Sequence, residues 1–256
     1  MSCVDTDAKA YMMIRFVLSG DTVFPLYDEN PTRTRPYVTW ILIAVNIIVF
    51  VLQLSRGFAD ADFFNYGAVP NYLMQGERLY TLFTSMFMHG GFLHIAGNML
   101  YLFIFGDNVE DRFGHIKFLI LYLVFGVASG IAHSSIIFQF NPSVAWLPAV
   151  GASGAISGVL GAYILFYPRA NVVTLVFLGY FATTAKIKSV FYLGFWFFLQ
   201  FFSGVFNPYG GVAYWAHIGG FVAGLLVAFL FKITAPQKRL PERTQVSPEE
   251  SFFSER

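Results

Sequence analysis

The sequence predicts an all-α, polytopic membrane protein built as a bundle of six transmembrane helices. Three observations predict it. Hydrophobic residues make up 56% of the 256 and charged residues only 12%, about half the charged share of an average soluble domain. Six apolar segments approach the roughly 20 residues that a bilayer-crossing helix needs. Lys and Arg lie overwhelmingly on one side of those segments. Phe contributes 31 residues and Tyr 14, which suits lipid contact and the aromatic belts of a membrane interface. A formal net charge of +1 argues against a nucleic-acid partner, which calls for a basic patch or stripe. Cys3 is the only cysteine, so an intrachain disulfide, a Cys-rich zinc site and a Cys-x-x-C redox motif are excluded.

The first element is a polar leader, 1–35, carrying Asp5, Asp7, Asp21, Asp28 and Glu29. The apolar run that follows starts near Pro36, too far along for a cleavable signal peptide, so 1–35 is expected to be a cytoplasmic N-terminal arm. A six-helix domain is expected over 36–234. Its spans run roughly from Tyr37 to Ser55, Phe92 to Asp107, Phe118 to Phe138, Gly154 to Tyr167, Ser189 to Val205 and Tyr214 to Phe231. The second and fourth are short, which suits a protein that thins its bilayer or admits water. Between the fourth and fifth lies 170–185, uncharged throughout and a rival seventh span that would invert everything after it. It is expected instead to be an interfacial or partly inserted connection, because it is short, contains Gly179 and three threonines, and is flanked by Arg169 and Lys186. The polar, Pro-containing tail, 235–256, is expected to be flexible and cytoplasmic.

Orientation follows from the cations. With the N-terminus inside, the cytoplasmic side holds Lys9, Arg15, Arg33, Arg35, Arg112, Lys117, Arg169, Lys186, Lys188, Lys232, Lys238, Arg239, Arg243 and Arg256, fourteen of the 16 Lys and Arg residues. The outer side receives only the other two, Arg56 and Arg78. In that topology spans two, four and six all run inward. His94 and Asn98 then fall in the outer half of span two, Ser153 at the outer start of span four, and His217 about one turn below the outer end of span six. Three polar sites distant in sequence share one membrane level.

Spacing within the spans sharpens this. His94 and Asn98 are four apart and share a helix face. Ser153, Ser157 and Gly161 line one face of span four, and Gly154, Gly158 and Ala162 another. Gly220 and Gly224 form a Gly-x-x-x-Gly pattern on the same broad side as His217. Small residues let two helices approach closely enough for a hydroxyl and an imidazole to bond at about 2.6 to 3.2 Å. Each feature has a plainer alternative. A serine in a membrane helix usually bonds back to its own backbone, and Gly-x-x-x-Gly is most often only packing. His133 is assigned to packing or interface hydrogen bonding, and His89 and His115 to span ends. The coincidence of three segments is far less probable by chance than any one of them.

At these residues the chain resembles the rhomboid family of intramembrane serine proteases. The matching motifs are His89-Gly-Gly-Phe-Leu-His94-Ile-Ala-Gly-Asn98, Gly151-Ala-Ser153-Gly154 and Ala216-His217-Ile-Gly-Gly220-Phe-Val-Ala-Gly224. Glu110 in Gly106-Asp-Asn-Val-Glu-Asp111 and the approach Phe24-Pro-Leu-Tyr-Asp-Glu-Asn-Pro-Thr32 also fit. The resemblance implies a six-helix rhomboid-like bundle and an endopeptidase acting in or near transmembrane segments of other proteins, near the outer face. It implies Ser153 as nucleophile and His217 as general base, a dyad without the carboxylate of a triad. The backbone N–H of Ser153 and the side chains of His94 and Asn98 would form the oxyanion hole. His89, Gly151, Gly154, Gly220, Gly224 and Glu110 would be structural supports. No cofactor or metal is implied; transmembrane substrates and the lipid bilayer are the partners. By analogy the compact form points to a prokaryotic plasma membrane.

Two positions depart from the family pattern. Many members carry an aromatic four residues after the serine, against the catalytic histidine, where this chain has Ser157; Tyr214 or Trp215 is the substitute expected here. Many also carry Trp-Arg in the first outer loop, where the aligned pair is Tyr80-Thr81 with Arg78 nearby. Two rival functions follow from other features. A catalytically silent relative would bind membrane clients, yet silent members lack the serine or the histidine. A transporter or metalloprotease would use the histidines, yet His89 and His94 are poorly spaced for one face and His-Glu-x-x-His is absent.

Overall fold

The computed structural model describes residues 23–178, 181–207 and 211–234. Among these the order is β1 (Val23–Asp28), α1 (Tyr37–Ser55), α2 (Asp60–Tyr66), α3 (Pro70–Met74), α4 (Thr81–Thr84) with a 3-10 turn at Ser85–Phe87, and α5 (Phe92–Phe113). Then come α6 (His115–Phe140), a 3-10 turn at Pro142–Val144, α7 (Ser153–Phe166), β2 (Asn171–Leu178), β3 (Phe181–Lys188), α8 (Ser189–Phe206) and α9 (Tyr214–Thr234).

Helices α1, α6, α8 and α9 are long and apolar enough to cross a bilayer, and only 22% to 33% of each apolar window is buried by protein. The rest of those windows is left for lipid. A fifth crossing results if the Thr81–Phe87 segment and α5, bent by 94° at their junction, count as one. Helix α7 has 14 residues, about 21 Å at 1.5 Å per residue, against a hydrocarbon core of about 30 Å. It has little need of greater length, because every residue from Gly154 to Tyr163 is buried. The expected fourth span is thus an interior strut surrounded by α5, α6 and α9.

The small residues of α7 set how close α9 comes. A methyl group on Gly220 would run into the carbonyl oxygen of Gly154, and one on Gly224 into the carbonyl oxygen of Gly158. On another side of α7, Gly158 makes room for the Phe125 ring of α6. Around this seam the core is aromatic and aliphatic, with Leu102, Phe105, Val109, Phe118, Tyr122, Val159, Leu160 and Tyr163 buried together.

Residues 170–185 differ from expectation. Their described residues fall largely in β2 and β3, which pair antiparallel as a hairpin and not as a helical seventh span, and β1 joins them in an antiparallel sheet of order β1-β2-β3. Phe24 lies opposite Leu175, and Val176 opposite Thr183. Val172, Val173, Thr174, Val176, Thr183 and Thr184 are β-branched or small, which suits a pleated surface better than a helix. Part of the expected arm therefore belongs to the folded body. Residues 1–22 and the tail from 235 lie outside the described residues.

Helix α5 also runs past the expected end at Asp107 to Phe113, because its last turns find polar partners. Glu110 is fully buried and accepts hydrogen bonds from the backbone N–H groups of Val38 and Thr39 at 2.9 and 2.7 Å and from Thr39 Oγ1 at 2.7 Å. It thereby satisfies the free N–H groups at the start of α1, whose preceding Pro36 offers no side-chain cap. His115 Nδ1 lies 2.5 Å from the same carboxylate. In the loop between α3 and α4 Arg78 holds the position: its guanidinium donates to Phe64 O at 3.0 Å and sits 4.3 Å from the centre of the Tyr72 ring. Tyr80 donates to Asn65 O.

Candidate active site

Ser153 opens α7 and His217 lies in the first turn of α9. The glycine seam brings these two helix ends together, and Ser153 Oγ lies 2.8 Å from His217 Nε2. Ser157, one turn along, donates instead to the Ser153 carbonyl at 2.6 Å. Of the two serines on that face, one bonds back to its own helix and the other bonds across to α9.

The turn before Ser153 is held by Gly151, whose φ of +130° disfavours any side chain. Its N–H donates to Ser85 O at 2.9 Å. A methyl at Gly151 would lie 2.8 Å from His94 Nε2 and 3.6 Å from Ser153 Oγ, so the imidazole edge sits directly beside this turn. Gly90 N–H donates to His94 Nδ1 at 3.3 Å. Since Nδ1 accepts there, a neutral His94 carries its proton on Nε2, the nitrogen beside Gly151 and Ser153. Asn98, one turn further along α5, has a buried Nδ2 without a hydrogen-bond partner. An unused buried donor costs about 1 to 3 kcal/mol, which an acceptor reaching Nδ2 would recover.

His89 packs edge-on against His94, with ring centres 5.1 Å apart. Its backbone is clipped to α1 by Gln53, which accepts from His89 N at 3.0 Å and donates to His89 O at 3.2 Å. Gly154, Gly220 and Gly224 lie in the α7–α9 seam, whereas Glu110 acts far along α5, at the start of α1. His133 lies on α6 beside the site. It lines a small cleft with Ser85, Ser129, Gly151 and Ser153, with about 30 Å³ open to water-sized molecules, and roughly 10 to 15 Å³ suffices for one water.

The hold on His217 corrects an expectation. Tyr214 and Trp215 do not support its ring; they pack toward Gly204 and Phe201 of α8. Support comes from α8 itself. Gln200 Oε1 lies 2.8 Å from His217 Nδ1, and the Trp196 ring stacks on the imidazole at 6.0 Å and 29°. Both residues escaped the sequence reading. The signal was available: Gln200 is the single amide in the apolar stretch Ser189–Phe206. Among the described residues no group of three or more His, Cys, Asp or Glu is placed to hold a metal ion.

Comparison with known proteins adds the following. The family model of the Rhomboid domain matches residues 76–233. Rhomboid protease GluP of Bacillus subtilis is 32% identical over 196 residues, covering 76% of this chain and 34% of that protein. Rhomboid protein 1, mitochondrial, of Saccharomyces cerevisiae is 30% identical over 226 residues, 84% of this chain and 59% of the relative. Rhomboid protease GlpG of Haemophilus influenzae is 27% identical over 202 residues, 79% of this chain and 94% of the relative. Of the length of several further curated relatives the chain spans little more than half, as with 52% and 57% for two rhomboid-like proteins of Arabidopsis thaliana.

Proposed function

The chain belongs to the rhomboid family, and from that premise we propose that it is an intramembrane serine endopeptidase with Ser153 as nucleophile and His217 as general base. It is an integral, multi-pass membrane protein. The observation that carries the proposal is the 2.8 Å contact between Ser153 Oγ and His217 Nε2, made across two helices whose glycines admit the close approach.

In the proposed reaction His217 Nε2 takes the hydroxyl proton as Oγ attacks a peptide carbonyl of a substrate's transmembrane segment. The developing oxyanion is received by the Ser153 N–H, free at a helix start, by His94 Nε2–H and by Asn98 Nδ2. His217 then returns the proton to the leaving amine, and a water drawn from the cleft beside His133 and Ser129 hydrolyses the acyl-enzyme. A substrate helix exposes its carbonyl only after unwinding locally, so small or helix-breaking residues near the scissile bond are favoured. A membrane domain that takes in β1 as well as 36–234, cytoplasmic termini and a prokaryotic plasma membrane belong to the same proposal.

The experiment compares wild type, Ser153→Ala and His217→Ala on a transmembrane reporter in liposomes. Both variants are expected to lose cleavage, and full activity in both refutes the dyad. The client-binding alternative needs no activated hydroxyl, so fluorophosphonate labelling of wild type, lost in Ser153→Ala, separates the two.

A further inference from the structure

We propose that Gln200 is a positioning residue for this reaction: its side-chain carbonyl holds His217 in the tautomer that can accept the Ser153 proton. The inference rests on the dyad reading above and extends it to a third group.

A carboxamide oxygen can only accept, so the Gln200 Oε1 contact at 2.8 Å requires the proton of a neutral His217 to sit on Nδ1. Nε2 is then a lone-pair acceptor, and it is the nitrogen that faces Ser153 Oγ. When Oγ attacks, Nε2 gains the hydroxyl proton and the imidazolium keeps its Nδ1–H pointed at Oε1. Gln200 receives no proton; its carbonyl dipole faces the new positive charge.

Three further observations support the assignment. Gln200 sits one turn from Trp196, and with Tyr192 these residues form one stripe of α8. Tyr192 reaches Tyr101 of α5 at 2.8 Å, Trp196 stacks on His217 and Gln200 bonds it, so the stripe is turned into the bundle. An amide among apolar residues is costly unless bonded, and here its carbonyl is bonded to the imidazole. Ser157, the other hydroxyl on this face of α7, is committed to its own backbone and gives His217 no hydrogen bond. The other titratable groups acting on His217 are His94 from α5 and His133 from α6; neither supplies negative charge.

The test uses the full chain in liposomes with the transmembrane reporter, together with the rate of fluorophosphonate labelling at Ser153. Gln200→Met keeps length and removes the acceptor. It is expected to lower kcat by about 10- to 100-fold, the loss of one hydrogen bond to a charged group. KM should stay within roughly twofold, since the group acts on the transition state, and labelling should slow in parallel. Gln200→Glu retains an acceptor, now charged. It should keep more activity than Gln200→Met and move the acid limb of the kcat profile to higher pH, because an anion beside Nδ1 favours imidazolium. Wild-type kcat in Gln200→Met, with Ser153→Ala inactive, overturns the role of Gln200 and leaves the dyad standing. Wild-type activity in Ser153→Ala removes the dyad itself. If Gln200→Met fails to fold, Gln200→Glu still decides, and an unmoved acid limb overturns the proposal.

Discussion

Two serines one turn apart on α7 meet opposite fates, and backbone supply explains it. Ser157 has a helical carbonyl four residues behind it and donates there. Ser153 opens the helix, with only the Gly151 turn behind it, so its hydroxyl is free to reach His217. That turn is the weak point of the site. Gly151→Ala would strain a φ of +130° and press a methyl against His94. A displacement of about 1 Å near the reacting atoms can cost roughly 10²-fold in rate. The variant is expected to lose about that much kcat while its thermal unfolding in detergent stays cooperative; near-normal kcat would show that the turn tolerates a side chain. A second residue carries a pH signature. Burial raises the Asp28 carboxyl above its ordinary 3.8, against the lowering pull of its bond from Tyr163. The folded chain therefore holds a proton that the unfolded chain has released, and stability attributable to Asp28 falls as pH rises through that window and stays lower above it. The unfolding midpoint of Asp28→Asn, relative to wild type, is expected to climb as the pH is raised from the ordinary carboxylate value of 3.8 toward neutrality. A constant difference across that range would dismiss the effect.

At the level of elements, the helices that touch through small residues were the most legible in sequence. The glycine spacing of α7 and α9 announced a close seam, and the seam is there. Gly220→Val tests its tightness: the side chain would enter the Gly154 carbonyl, and overpacking of this kind costs about 1 to 3 kcal/mol or more. The expected result is a lower unfolding midpoint together with slower fluorophosphonate labelling at temperatures where the protein is still folded, since Ser153 and His217 approach each other through that seam. Normal labelling in a destabilised protein would separate packing from alignment. Helix α8 was legible only as a span. Its exposed Phe191, Phe195, Phe198 and Phe202 dominate its composition and mask the Tyr192, Trp196 and Gln200 stripe, whose meaning depends on which face turns inward. The β-hairpin was illegible for a different reason. An uncharged run of sixteen residues scores as apolar whatever its conformation, and the decisive partner, β1, lies about 150 residues earlier in the chain, beyond the reach of any local pattern.

Across the whole molecule the polar groups are divided between two ends. The site occupies one end of the short α7, and the buried Glu110, the Asp28 and Tyr163 pair and the sheet occupy the other. That division predicts that architecture and chemistry can be broken separately, with Glu110 as the test. Its carboxylate gathers four partners from α1 and α6: Val38 N, Thr39 N, Thr39 Oγ1 and His115 Nδ1. Removing it strands buried donors at the start of α1, and loss of one partner in a buried polar cluster costs about 3 to 5 kcal/mol. At about 2 to 4 °C per kcal/mol for a chain of this size, Glu110→Ala should melt roughly 10 °C lower or more. The Ser153 and His217 contact is built by α7 and α9, neither of which supplies any of these four partners, so kcat measured well below the new midpoint should remain within roughly threefold of wild type. Glu110→Gln, which keeps an acceptor for α1 but loses the charge, should fall between the two in stability and match wild type in rate. A large loss of kcat in Glu110→Ala at an unchanged midpoint would mean that the two ends communicate, and that the bundle transmits the position of α1 to the dyad.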